Sequence, residues 1–126
     1  MMSEIMLSIR PEWVDRIVKM DKRAELRVSR PRLPLPFKVY IYQSDNGGVV
    51  GEFICDKIEE ARGSGINKKF LENTCVPDLT AQAYAGGRVL SKWNIRRLII
   101  YPTPKPLFEY GLKRPPMSWC YIRRGK

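Results

Sequence analysis

Histidine is absent from the 126 residues, and cysteine, long apolar runs and acidic charge in the second half are all scarce. Without histidine, no Ser-His-Asp or Cys-His triad can be assembled and no His-ligated metal site can form. Cys55, Cys75 and Cys120 are odd in number and none is spaced as a CxxC pair. The sequence therefore predicts neither a disulfide framework nor a zinc cluster, and no metal or other cofactor is expected. Isolated cysteines of this kind serve as small buried hydrophobes in a reducing compartment, which points to the cytoplasm. The apolar runs are too short to span a bilayer, and the opening MMSEIMLSIRPEW lacks the basic and apolar regions of a secretory signal. No glycine-rich loop follows a strand and opens a helix, which disfavours a nucleotide-triphosphate or dinucleotide enzyme.

What is present is one domain's length, residues 1–126, with 44% hydrophobic residues, enough for a packed core. The formal net charge is +10, and it is unevenly spread. Residues 1–63 hold 11 basic and 10 acidic groups, whereas residues 64–126 hold 12 basic and 3 acidic groups. A half that basic attracts polyanions, nucleic acid foremost. A basic surface with no specific partner satisfies the same count.

Glu4 to Ile9 is a short apolar run that predicts a first strand. Pro11 stands where a first helical turn tolerates its missing N–H, and Trp13, Val14, Ile17 and Met20 then recur at helical spacing. That predicts an amphipathic helix over 12–20. Ala24 to Ser29 alternates, putting Glu25 and Arg27 on the polar face of a strand. Three prolines in residues 30–37 exclude a helix or a central strand. Residues 38–43 and 49–58 predict a hairpin closed by Ser44–Gly48, with Asn46-Gly47 supplying positive φ and Gly51 a bulge. Short helices are predicted over 66–73 and 78–85, the second capped by Asp78 and ended by Gly86-Gly87. Residues 93–101 and 118–123 predict two more strands, separated by proline-enforced extended chain. The fold class is α+β: about five to six strands in a curled sheet or small β-barrel, with one N-terminal helix and short helices.

The densest polar constellation is Lys22, Glu25 and Arg27, with Lys22 in the helix-to-strand turn and the other two sharing a strand face. A carboxylate between two cations stays ionised and accepts from an amide or amino group, while the cations suit a phosphate or carbonyl oxygen. Ordinary surface ion pairs are the alternative.

This segment resembles a family. The order SIRP, MDKRAELR, KVYIYQS and GGVVGEF looks like the ASCH domain, a relative of the PUA fold, whose motif is usually written GxKxxExR. Lys22, Glu25 and Arg27 fill that motif, and Met20 stands where glycine is usual. WNIRRLIIYPTPKPLFEY and RPPMSWCYI look like segments of phage and prophage members, and the likeness runs over residues 5 to 122. The resemblance implies a small PUA-like β-barrel with a cleft between barrel and first helix, lined by the motif. It implies binding of RNA or nucleotides, with enzymatic activity in some members. One branch hydrolyses acetylcytidine with a lysine and threonine of the motif and a glutamate from elsewhere. Lys22 matches that lysine, but Glu25 takes the threonine's place, and a carboxylate is a poorer candidate for that nucleophile role.

The sequence thus predicts a basic cleft in which Arg10, Lys22, Glu25, Arg27, Tyr42 and Ser44 bind an RNA or nucleotide-like ligand. Tyr42, paired with Tyr40 on one strand face, would stack or donate; core packing is the alternative. Trp119 and Tyr121 form a second such pair, and Trp13 is expected between helix and barrel. Arg96 and Arg97 would track a nucleic-acid backbone, as would Arg123, Arg124 and Lys126. A hydrolase is the first alternative, an amidohydrolase on an acylated cytidine-type base or a ribonuclease. Lys22 and Glu25 would then be catalytic, with Glu52 and Asp56 as further carboxylates. A phage accessory module that meets another protein is the second. On the binding reading, Lys22→Ala and Glu25→Gln abolish binding and spare the melting temperature.

Overall fold

The computed structural model describes residues 2–123. Glu4–Ile9 forms β1, and its Ile5, Met6, Leu7 and Ile9 are all buried, as a strand covered on both faces requires. The chain then enters α1, Pro11–Val18, with proline in its first turn and Val14 and Ile17 turned into the core. β2 is Ala24–Arg27, β3 is Phe37–Gln43 and β4 is Gly48–Cys55. β5, Ile58–Ala61, precedes a turn-rich stretch and α2, Asp78–Ala85. β6 (Leu90–Asn94), β7 (Arg96–Lys105) and β8 (Trp119–Tyr121) complete the set.

These strands make two sheets, one in the order β7-β4-β3-β1-β8 and the other β2-β6-β5. All pairings are antiparallel except β1 with β3, which run parallel with Ile9 opposite Gln43. The two strands therefore end side by side at one level. A main core holds Leu7, Ile17, Ile41, Phe53 and Trp93, each worth about 1.5–3 kcal/mol on burial. A second packs α2 through Ala81 and Ala85 on Leu26, Ile66 and Leu90. A third holds Met6, Tyr40, Tyr42, Val49 and Tyr110.

The α+β class stands, but the small barrel of five to six strands is corrected to eight strands in two sheets with no closed barrel among the described residues. Two expected long strands each break where the chain changes sheets. Residues 49–58 divide into β4 and β5 at Asp56-Lys57, and 93–101 into β6 and β7 at Ile95. Apolar spacing runs on through such a corner because both halves still face a core. The expected helix over 66–73 is a run of turns: Ile66 and Leu71 are buried, but Asn73 and then Cys75 take positive φ. Asp78 is the first helical residue of α2, capped from Pro77 without a side-chain bond. At the hairpin, Asn46 carries positive φ as expected, but Gly47 does not; Asp45 and Gly48 are the other two residues with positive φ there. The register slips beside Gly51, where a Cβ would meet the Ile99 carbonyl oxygen, so β4 and β7 approach closely only at glycine. Pro102 and Pro104 lie within β7, an edge strand, where a missing N–H is tolerated.

Candidate functional site

A cleft of about 660 Å³ opens where the parallel pair ends. Its walls come from the β1–α1 junction (Ser8 to Trp13), β2, the β3–β4 turn (Ser44, Asp45) and α2 with its approach (Val76, Thr80, Tyr84), while Met117 stands at the mouth. The backbone N–H of Ser44 donates to the Ile9 carbonyl at 2.9 Å and ties the turn to the end of β1.

Lys22, Glu25 and Arg27 converge on the floor. Glu25 Oε2 accepts from Arg27 Nε at 3.0 Å and Nη2 at 2.7 Å, and its Oε1 lies 3.3 Å from Lys22 Nζ. Lys22 also donates to the Thr74 carbonyl at 2.7 Å, with its ammonium 5.1 Å from the Trp13 ring centroid. Arg27 Nη1 donates to Ser118 Oγ at 3.0 Å and Nη2 to the Ser8 carbonyl at 2.8 Å. Lys22 is 2% exposed and Glu25 6%, and charges this deep persist only when paired. The triad is thus a buried clamp that joins β1, β2, the Thr74 loop and Ser118, the residue before β8. Four of the five guanidinium N–H groups have partners, and among the described residues one, on Nη1, has none.

Burial alone would push the Glu25 carboxyl up, but the Arg27 guanidinium and then the Lys22 ammonium hold it below the usual carboxylate range. Such a group accepts hydrogen bonds well and removes protons poorly.

The structure brings Arg10 and Ser44 to the cleft as expected, beside the triad. It does not bring Tyr42, which is 6% exposed and packs in the third core with Met6 and Tyr110. Ile41 packs in the main core, so the neighbouring Tyr42 points to the opposite face of the sheet. Arg96 pairs with Asp56 at 3.0 Å on the edge strand β7, and Arg97 is exposed there with a φ of 53°. Neither arginine lines the cleft. Glu52 and Asp56 also lie outside it. Glu52, pushed up by burial, is brought below its ordinary range by the Tyr101 hydroxyl and Lys38; Asp56 is lowered chiefly by the Asn94 amide. Trp13 packs on the main core as expected and also lines the cleft. Trp119 and Tyr121 meet edge to face at 5.2 Å, away from the lining. Arg124 and Lys126 lie outside the described residues.

The expected basic cleft is corrected: Arg10, Lys22 and Arg27 are balanced by Glu12, Glu25 and Asp45. Glu12, Asp45, Thr80, Tyr84 and Met117 are lining residues that the sequence did not reveal. Thr80 and Tyr84, four apart on one helix, carried the only periodic signal.

The described residues contain no group of side chains fit to hold a metal ion and no helix long and apolar enough to cross a membrane.

Compared by sequence, the chain matches no protein-family model and no curated protein. Compared by structure, its fold is similar to that of ASCH proteins. The ASCH protein of Zymomonas mobilis superposes with a TM-score of 0.81 at 21% identity, over 96% of this chain and 88% of that one. Two single-substitution variants of the Zymomonas protein give TM-scores of 0.82 and 0.79 at 19% and 20% identity. Each covers 96% of this chain, and the shares of their own chains are 89% and 91%. At such identity the likeness is one of fold.

Proposed function

We propose that the chain is a single ASCH-type unit that binds single-stranded RNA or a nucleotide-like ligand in this cleft, without turnover. The observation that carries this reading is an open cavity floored by a mutually paired ionic clamp, in a molecule of net charge +10. The clamp fixes the walls, the lip takes the ligand, and the surplus positive charge outside the cleft, Arg97 included, attracts the phosphate backbone. The three free thiols fit a reducing compartment, and we place the protein in the cytoplasm.

Binding is favoured over hydrolysis because Glu25 is held below the range useful to a general base and the Lys22 ammonium is tied to Glu25 and Thr74. The test is titration of a labelled oligoribonucleotide at about 50 and 200 mM salt, together with incubation of that RNA and of acylated cytidines. The reading expects affinity that falls steeply with salt and substrates that stay intact. Cleaved RNA or deacylated cytidine would establish the hydrolase instead.

A further inference from the structure

Resting on the ligand-binding reading above, we infer that the lip of the cleft, Arg10 with Glu12 and Asp45, selects guanine. The three side chains are exposed, all line the cavity, and none is engaged in a hydrogen bond or ion pair among the described residues. Their placement follows from the fold. β1 and β3 end at one level, Arg10 and Glu12 leave the end of β1 into α1, and Asp45 leaves the end of β3 into the hairpin turn. The Ser44-to-Ile9 hydrogen bond holds the two exits together. Asp45 keeps a φ of 66° at this lip, a conformation that aspartate tolerates better than most residues.

One guanidinium beside two carboxylates is a pattern with a definite complement. A guanidinium takes two adjacent acceptors, and a carboxylate takes two adjacent donors. Guanine offers both, O6 with N7 and N1–H with the 2-amino group. Adenine and cytosine carry a lone amino donor, and uracil a single N–H. Arginine reading O6 and N7 is the commonest specific contact to a base. The balanced charge of the lining also suits a neutral base better than a phosphate, which stays outside. For the flat faces, Tyr84 is 42% exposed and Met117 fully exposed at the same mouth. Trp13 is less available, because Lys22 and Arg16 both lie over its ring. Met117 is held on a fixed backbone: Ser8 Oγ donates to the Pro116 carbonyl at 2.6 Å, and Ser8 N to the Ser118 carbonyl at 2.9 Å.

The experiment is calorimetric titration of the full chain with the 5′-monophosphates of guanosine, inosine, adenosine, cytidine and uridine. Single-stranded oligouridylates with and without one central guanosine form a second arm, separating a free nucleotide from RNA as the source. The expected result is roughly tenfold tighter binding of the guanine ligand in at least one arm. Inosine, which lacks the 2-amino group, falls between guanosine and the rest. Glu12→Gln with Asp45→Asn should erase the preference and lower the melting temperature by a few degrees at most, the loss of one first-turn carboxylate from α1. Equal affinity for all bases overturns the guanine assignment and leaves the ligand-binding reading intact. No binding in either arm overturns both.

Discussion

The ammonium of Lys22 lies 2.7 Å from the carbonyl oxygen of Thr74, fifty-two positions along the chain, and that bond ties the ionic motif to the segment leading into α2. Lys22 is therefore a strut of the cleft wall. Lys22→Ala should lower stability by about 3 kcal/mol, because it leaves the Glu25 charge with Arg27 alone and the Thr74 carbonyl without its donor. Chemical denaturation checks this. It also revises the expectation that this substitution spares the fold, since a residue 2% exposed has no solvent to replace its partners.

Glu25 gives the fold an acid-sensitive component. Its carboxyl is held below the ordinary value of 4.5, so the folded state binds its proton less readily than the unfolded chain. The stabilisation is fully present above that ordinary value and is lost as pH falls through the folded-state value. Melting curves between about pH 7 and 3 should show the wild type losing its advantage over Glu25→Gln only below about pH 4.5. A constant difference down to pH 3 would contradict this.

Met20 follows the last turn of α1 with a φ of 64°, the left-handed conformation that glycine adopts freely, and its side chain is 63% exposed. Little packing is lost on truncation. Met20→Gly should therefore stabilise the protein by roughly 0.5–1 kcal/mol, read as a raised denaturation midpoint.

Arg10 is exposed on the lip, and its side chain makes no capping hydrogen bond to α1. Arg10→Ala should weaken ligand binding about tenfold or more, as loss of a charge-assisted hydrogen bond does, and leave the melting temperature in place. A destabilised variant with unchanged affinity would reverse its role with that of Lys22.

Local pattern carried much of this. Glu4–Ile9 and Asp78–Ala85 stand in the structure with the bounds that apolar runs and the Gly86 stop predict. Lys22, Glu25 and Arg27 could be grouped because a strand puts alternate residues on one face. Alternation does not say which face is covered. Tyr40 and Tyr42 do share a face, yet that face is buried by Tyr110 from seventy residues away. The corners at Asp56-Lys57 and Ile95 were illegible for a related reason: a strand that changes partners keeps its hydrophobic period. The lip was hidden because Asp45, Tyr84 and Met117 come from distant segments that only the parallel β1–β3 pair and α2 bring to one mouth.

Amide and side-chain NMR shifts during titration with a guanosine-containing oligoribonucleotide show where the ligand sits. A ligand in the cleft shifts Ser8, Arg10, Glu12, Ser44, Asp45, Thr80 and Tyr84, with the edge strand carrying Arg96 and Arg97 changing less. Shifts confined to that edge strand, with the cleft silent at saturation, would contradict binding in the cleft.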